Sequence, residues 1–286
     1  MRIIKAKHKA ISEPIADLST YRAFPTPLVD MHEMDPFLLL NHHGLQKYPA
    51  ANRGLPFGPH PHRGFETVTF IVEGDLVHKD SSGSISRIKA GGVQWMRAGK
   101  GLVHAETSSD EFRKNGGPLE ILQLWVNLPA KHKMVAPCYT GLQAADIPVV
   151  NWDSGNVRGH IVSGTWDGKK GPIVPLTDMS LATLEFKKGG KLSLNIDKEK
   201  TILLYVVKGE ILVNGEAATM HQLVEFNHEG KIVEMKGMSD ALIIFGYATP
   251  FHEPIAAHGP FVMNTQEEII QAFVDYQSGV FGPEII

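Results

Sequence analysis

The segment Phe70-Ile-Val-Glu-Gly74-Asp-Leu76 recurs 135 residues later as Tyr205-Val-Val-Lys-Gly209-Glu-Ile211. Each copy is typical of a short apolar strand that ends at a glycine turn and is followed by a second strand. The same offset places Gly54 on Gly189 without a gap. We therefore predict that the chain contains two copies of one β-rich unit, each about half of its length.

On both sides of this repeat, the chain consists of short apolar runs separated by turn residues. The 28 glycines and 18 prolines are spread through the sequence rather than concentrated in one segment. Between them lie runs rich in Val, Ile, Leu, Thr and Phe, at 66–73, 121–127, 181–186, 201–207 and 241–245. Antiparallel strands of this length close into barrels or jelly rolls, because closure removes exposed edges. The prediction is an all-β protein with two antiparallel jelly-roll barrels in tandem.

The domain boundaries follow from composition. Residues 137–150 are rich in proline and glycine, which is typical of a linker, so we predict an N-terminal domain over 1–136 and a C-terminal domain over 151–286. A short helix is predicted near 265–278, because apolar residues recur there at helical spacing after a threonine and a glutamate arranged as a capping box.

The composition excludes several classes of protein. The chain has 286 residues, 43% of them hydrophobic and 21% charged, which is typical of a globular rather than a disordered protein. A formal net charge of −3 without a basic run argues against direct binding to nucleic acid. No signal-peptide pattern or membrane-spanning apolar stretch is recognised, so we expect no membrane association. The single Cys138 favours a reducing compartment, the cytoplasm, or also the nucleus in a eukaryote.

The segment that carries chemistry is Gly54-Leu-Pro-Phe-Gly-Pro-His60-Pro-His62-Arg-Gly-Phe-Glu66. Residues i and i+2 of a strand project from the same face, so His60 and His62 can present two imidazoles to one point. A later segment places His104 and Glu106 at the same spacing. Four metal-ligand side chains are therefore predicted to converge from two strands. The carboxylate is ambiguous at this point, because Glu66 has the same strand parity as the two histidines.

Longer motifs carry a family resemblance. The pattern of a glycine, five residues and H-x-H-x-x-x-E, followed by glycine-x-x-histidine, resembles the two metal motifs of cupins. Four segments are similar to signatures of the pirin family: HPHRGFETV at 60–68, QWMRAGKGLVHAE at 94–106, LQLWVNL at 122–128 and GPFVMNT at 259–265. Pirins are bicupins with a single iron site in the N-terminal barrel. The resemblance therefore implies a metal held by His60, His62, His104 and Glu106, and favours Glu106 over Glu66.

The types of ligand and the repeat predict which metals can bind and how many ions each chain holds. Three imidazoles and one carboxylate suit Fe, Mn, Ni, Cu or Zn, and the resemblance places iron first. Adding the 135-residue offset to positions 60, 62 and 66 gives Asn195, Asp197 and Thr201, none of which is a histidine. We predict one transition metal ion per chain and a degenerate C-terminal barrel without metal.

The resemblance implies two alternative functions. The first is a metal-dependent dioxygenase of the quercetin 2,3-dioxygenase type, which cleaves a flavonol or another small aromatic with O2. Glu106 is then the general base that accepts the proton of the flavonol 3-hydroxyl, and ring opening releases carbon monoxide. The alternative is a non-enzymatic, iron-dependent regulatory protein that binds a transcription factor or a partner enzyme. Solvent access to the metal separates the two hypotheses.

Overall fold

The computed structural model describes residues 1–283 and 285, and 54% of the chain lies in strands. The strands up to the middle of the chain are β1 (Ile4–Lys9), β2 (Ile11–Ser12), β3 (Thr20–Phe24), β4 (Phe37–Tyr48), β5 (Phe57–His62), β6 (Phe65–Glu73), β7 (Asp75–Asp80), β8 (Ile85–Lys89), β9 (Val93–Arg97), β10 (Leu102–Thr107), β11 (Gly117–Asn127) and β12 (Cys138–Leu142). The later strands are β13 (Val149–Trp152), β14 (Val157–Ser163), β15 (Thr165–Trp166), β16 (Lys169–Lys170), β17 (Ser180–Phe186), β18 (Lys191–Asn195), β19 (Thr201–Lys208), β20 (Glu210–Val213), β21 (Glu216–Thr219), β22 (Gln222–Phe226), β23 (Ile232–Gly237), β24 (Ala241–Ala248), β25 (Ala256–His258) and β26 (Phe261–Met263). The helices are α1 (Asp110–Asn115) and α2 (Gln266–Gln277), and single 3-10 turns lie at Ala130–His132, Ala144–Asp146 and Asp153–Gly155.

The chain forms two compact units, each made of three segments. The histidine unit consists of Ser12–Thr20, Phe37–Ala145 and Phe251–Ile286, and the apolar unit consists of Met1–Ile11, Tyr21–Pro36 and Asp146–Pro250. These units differ from the predicted contiguous domains at both chain ends. The reason is pairing and packing: β1 pairs with β22 in the apolar unit, and Phe261 and Ile269 pack against Val103 in the histidine unit.

The predicted linker contains ordered structure. The boundary between the two units lies between Ala145 and Asp146, inside the segment 137–150. Within that segment, however, β12 pairs antiparallel with β9 along its whole length, and β13 begins at Val149. Proline and glycine therefore bound short edge strands here rather than a structureless connection.

The histidine unit contains two antiparallel layers. One contains the neighbouring strands β12-β9-β6-β11-β4, and the other is a four-stranded sheet in the order β5-β10-β7-β8. A cluster of buried apolar residues around Ile71, Leu76 and Ile121 forms part of its core. The strands β5 and β10, which carry the predicted metal ligands, are neighbours in the smaller sheet.

The apolar unit repeats this strand order. Its sheets are β1-β22-β19-β24-β17-β14-β13 and β18-β23-β20-β21. Thus β22, β19, β24 and β17 take the places that β9, β6, β11 and β4 have in the histidine unit. One large cluster of buried apolar residues, which includes Leu204, Val213 and Phe245, forms its core. The predicted pair of all-β, cupin-type jelly-roll units is confirmed.

The repeated glycines occupy equivalent turns. Gly74 joins β6 to β7 with φ +83°, and Gly209 joins β19 to β20 with φ +78°. This left-handed backbone region favours glycine, since a Cβ there is strained. The motif that reveals the repeat in the sequence is therefore required by a sharp turn between two strands.

The predicted C-terminal helix is α2. Thr265 is its N-cap, and the backbone N–H of Glu268 donates to the Thr265 hydroxyl at 3.2 Å. The Glu268 carboxylate in turn accepts from the Thr265 backbone N–H at 3.0 Å, which completes the capping box. The short helix α1, capped by Ser109, is an addition that the sequence pattern did not predict.

Candidate metal centre

Three histidines from two neighbouring strands lie together in the histidine unit. In the antiparallel pairing of β5 with β10, His60 lies opposite His104 and His62 lies opposite Leu102. The ring centroids are 4.3 Å apart for His60 and His104, 4.9 Å for His60 and His62, and 5.0 Å for His62 and His104. One nitrogen from each ring lies within 4.8 Å of the other two. Among residues 1–283 and 285, no other group of three His, Cys, Asp or Glu residues comes this close.

Backbone carbonyls orient two of the three imidazoles. The Nδ1–H of His60 donates to the Gly58 carbonyl at 2.7 Å, and that of His62 donates to the Pro260 carbonyl at 3.2 Å. With Nδ1 protonated, the lone pair of a neutral imidazole lies on Nε2. A carbonyl that fixes the tautomer in this way is the usual outer partner of a metal-binding histidine.

The buried ring nitrogens have no protein partner. Within the described part of the chain, His62 Nε2 and both ring nitrogens of His104 are buried without a hydrogen bond. Burial and the neighbouring His60 lower the pKa of His62 to about 3. Burial, followed by the other histidines, also lowers the pKa of His104 well below its usual value. Neutral rings with free lone pairs that face one another fit a metal ion, because imidazole binds metals in its neutral form.

Glu106 follows His104 on the same face of β10 and is buried. Its Oε1 accepts hydrogen bonds from Thr69 Oγ1 at 3.1 Å and from Gln94 Nε2, and its Oε2 accepts from Gln123 Nε2 at 2.6 Å. These partners come from β6, β9 and β11 of the opposite layer. The carboxylate is held by three donors and lies outside the group of ring nitrogens within 4.8 Å of one another.

Two aromatic side chains fix the orientation of these amides. The Trp125 indole N–H donates to Gln123 Oε1 at 3.1 Å, and the Tyr139 hydroxyl donates to Gln94 Oε1 at 3.2 Å. Each amide oxygen is thus engaged, so both NH2 groups point to Glu106. Burial, followed by the charges of Glu106 and Asp80, raises the pKa of Tyr139 to about 12, so its hydroxyl stays protonated and can donate.

Glu66 lies on a different face from the predicted metal ligands. The parity argument assumed one continuous strand from His60 to Glu66, but the chain turns at Gly64, where φ is +88°. In β6, Thr69 faces Glu106, so by alternation Glu66 points to the other side of the sheet. Burial raises the pKa of Glu66 to about 7, partly offset by a hydrogen bond from Trp95. The turn at Gly64 is therefore the reason that spacing alone misplaced this carboxyl.

The site contains residues that the sequence motifs did not identify. Thr69, Gln94 and Gln123 are isolated polar residues in apolar strands, and only the pairing of three strands brings them to Glu106. His78, opposite Glu106 in β7, is fully buried and pairs with Asp80 at 2.9 Å. The available sequence signal was a polar residue at an inward position of a strand, which is informative only when the register is known.

Two protein-family models match this chain. The Pirin family model matches residues 17–126, and the model of the pirin C-terminal cupin domain matches residues 181–282. The chain belongs to the pirin family. The predicted family resemblance is thus confirmed over most of the length of this pirin.

Relatives match this pirin over most of both chains. It is 38% identical over 263 residues to a pirin-like protein of Caulobacter vibrioides, and the aligned region covers 91% of each chain. Human pirin is 35% identical over 265 residues, covering 89% of this chain and 86% of the human protein. The crystal structure of a quercetin 2,3-dioxygenase from Acinetobacter baumannii superposes over 100% of both chains, with a TM-score of 0.93 and 33% identity.

The helices of this pirin are short. In the described part of the chain, neither the length nor the apolar character of any helix is sufficient to cross a membrane.

Proposed function

We propose that this protein holds one transition metal ion through His60, His62, His104 and Glu106, with iron first and Mn, Ni, Cu or Zn as alternatives. The convergence of three imidazoles, together with the unpaired buried nitrogens of His62 and His104, supports the three histidines. For Glu106, the support is its position two residues after His104 on the same strand face. Its carboxylate would have to leave part of its hydrogen-bond network to join the three nitrogens.

We further propose that the protein is a dioxygenase that cleaves a flavonol or another small aromatic with O2. The high structural similarity to a protein described as a quercetin 2,3-dioxygenase supports this activity. A transition metal at this position would supply a Lewis acid for a substrate oxygen and a route for electrons to O2. The surrounding side chains would bind and orient the substrate and accept its proton.

Glu106 is the proposed proton acceptor. A carboxylate has about four acceptor positions, and three donors contact Glu106, so one position remains for a substrate hydroxyl. Binding the metal as well would require one of the three donors to be released. All three contacts come from N–H or O–H groups, which fix the position of the carboxylate oxygens. The network would therefore hold Glu106 ready to accept a proton from a hydroxyl bound beside His104.

The exposure of the site favours the enzyme over the regulatory alternative. His62, His104 and Glu106 are buried, whereas His60, Gln123 and Trp125 are partly exposed. A small molecule can thus approach without disturbing the buried ligands. Partial exposure of this kind is what a catalytic site requires and a closed structural metal site lacks.

The observation that carries the proposal is the histidine triad beside a buried carboxylate, and one experiment tests metal and activity together. Purified protein is assayed for metal content, mixed with quercetin without oxygen, and then exposed to O2 while flavonol absorbance and carbon monoxide are recorded. We expect one metal ion per chain, a shift of the flavonol spectrum before oxygen, and consumption with carbon monoxide release afterwards. Full metal content without any flavonol consumption would favour the regulatory alternative.

A further inference from the structure

We propose that Thr67 is a substrate-binding residue whose hydroxyl bonds to an oxygen of the aromatic ligand. This inference rests on the proposed function, because it concerns the ligand of the same site. Thr67 is neither a predicted metal ligand nor a member of the hydrogen-bond network around Glu106.

The position of Thr67 follows from the alternation of side chains along β6. Phe65 lies with its ring 5.0 Å from that of His62, and Thr69 donates to Glu106 at 3.1 Å. Thr67 lies between these two residues and therefore on the same face of the strand. Its hydroxyl is placed between the part of the site that carries His62 and the part that carries Glu106.

The Thr67 hydroxyl is buried and has no partner. Thr67 is 1% exposed, and no group in residues 1–283 and 285 hydrogen-bonds to its Oγ1. Serine and threonine hydroxyls normally find a partner when buried, because losing the bond to water is unfavourable. A hydroxyl left unpaired beside a metal site is suited to a ligand that brings its own donor or acceptor.

The fold itself does not require a hydroxyl at this position. Thr67 lies opposite Trp125 in the pairing of β6 with β11, and Ile202 lies opposite Tyr247 in the equivalent pairing of β19 with β24. Ile202 is 2% exposed and belongs to the core of the apolar unit. The same strand position thus accepts an aliphatic side chain when no ligand site is present.

The neighbours of Thr67 indicate the class of ligand. Trp125 lies directly across from it on β11 and Met96 on β9, so the hydroxyl is flanked by an aromatic ring and a thioether. The Trp125 indole is partly exposed and anchored through its N–H to Gln123. A flat aromatic molecule with an oxygen on its edge can pack on such a ring and bond to the hydroxyl. Hydroxylated aromatics of the flavonol type have this chemistry.

The test compares Thr67→Val and Thr67→Ser with the wild type at matched metal content. Valine keeps the shape but removes the hydroxyl, and serine keeps the hydroxyl. Thr20→Val is the matched control for stability, because Thr20 is equally buried but its hydroxyl lies 2.8 Å from His43 Nδ1. Metal per chain, the melting temperature, the anaerobic Kd for quercetin, and kcat and KM are measured for each protein.

We expect Thr67→Val to keep its metal, to raise the melting temperature by about 2–4 °C, and to weaken quercetin binding about 5- to 100-fold. Thr67→Ser should bind quercetin within about 3-fold of the wild type, and Thr20→Val should lower the melting temperature. The rise in melting temperature is expected because an unpaired buried hydroxyl is removed.

Two results would overturn the inference while the proposed function stands: wild-type quercetin affinity in Thr67→Val, or a fall in melting temperature like that of Thr20→Val. A wild-type protein with full metal that binds no quercetin contradicts both the proposed function and this inference. The two failures are therefore distinguishable from the same set of measurements.

Discussion

The histidine unit and the apolar unit share one strand order but have different interiors. In the histidine unit, Glu106 of β10 lies opposite His78 of β7. In the apolar unit, Met235 of β23 lies opposite Val213 of β20, the strands that occupy the same places. His104 lies two residues before Glu106, and Val233 lies two residues before Met235. Val233 is therefore the equivalent of His104, and it is fully buried. These imidazole and carboxylate positions of one unit are thus apolar in the other.

The difference extends to the donors around Glu106. Thr69 is flanked by Gln94 and Gln123 on the neighbouring strands. In the apolar unit, the equivalent Leu204 is flanked by Val224 and Phe245. The fold therefore packs well with an apolar interior, and the polar network is present only where the histidines are. This contrast supports the proposed role of the network in binding a ligand.

The largest expected difference between the units is metal content. In the double variant His60→Ala with His104→Ala, two of the three imidazoles are lost, so we expect metal per chain to fall close to zero by elemental analysis. Asn195→Ala and Asp197→Ala in the apolar unit should leave metal content unchanged, because both residues are exposed and Asp197 pairs with Lys231 at 2.9 Å. Two ions per chain in the wild type, or normal content in the double variant, would contradict the assignment.

The next largest effect is expected at Glu106. Glutamine at this position loses the negative charge and the proton acceptor. Its single NH2 group must face either Gln94 or Gln123, which are both donors to Glu106. Flavonol turnover by Glu106→Gln should fall about 10²- to 10⁴-fold, with part of the metal retained.

Glu66→Gln is the matched control for Glu106→Gln, because Glu66 is also buried but faces the other side of β6. It should change turnover and metal content little. If Glu66→Gln has the larger effect on both quantities, the functional carboxylate is at position 66.

A smaller effect concerns stability and pH. The pKa of Glu66 is raised to about 7 by burial, so the folded protein binds a proton that the unfolded chain releases near its usual pKa of 4.5. The contribution of Glu66 to the free energy of unfolding is then complete below about pH 4.5 and is lost as the pH rises to about 7. Its equivalent in the apolar unit, Thr201, does not titrate.

We expect Glu66→Gln to remove this dependence. The free energy of unfolding of the variant relative to the wild type should rise between pH 5 and pH 8 by up to the order of 3 kcal/mol, measured by urea denaturation at each pH. A constant difference between the two proteins across this range would show that Glu66 titrates normally.

The smallest effects are expected at the repeated turns. A Cβ on Gly74 would lie 2.9 Å from the Pro118 carbonyl oxygen, and one on Gly209 would lie 2.2 Å from the Asp240 carbonyl oxygen. With the positive φ at both, Gly74→Ala should lower the free energy of unfolding by about 1–2 kcal/mol and Gly209→Ala by more. Gly58→Ala, which meets nothing within 4 Å, should be near neutral in the same denaturation assay. Equal losses for all three would argue against the turn geometry.

The fold could be predicted from the sequence because the repeated motif encodes a local requirement. Gly74 and Gly209 each mark a turn with positive φ after an apolar strand, so the motif and the offset survive in both copies. The assignment of chain ends to units could not be predicted, since it depends on the pairing of β1 with β22, more than two hundred residues apart.

The site could be predicted only in part, because the sequence does not show the register in which its strands pair. Spacing was sufficient to group His60 with His62, because both lie in β5. It failed for Glu66, where a single turn at Gly64 reverses the parity. In the apolar unit, the 135-residue offset placed the equivalent of His60 one residue too late. Leu194 lies opposite Val233 as His60 lies opposite His104, so the equivalent of His60 is Leu194 rather than Asn195.

The hydrogen bond from His62 to the Pro260 carbonyl spans 198 residues and has a consequence for biosynthesis. Every segment of the apolar unit has left the ribosome's active centre once Pro250 is added, whereas the histidine unit still lacks its last segment. Because domains fold as their residues emerge, the apolar unit can mature first. The hydrogen bond that orients His62 can form only after Pro260 has been synthesised, so the group of three imidazoles is completed later than the chain segments of the apolar unit.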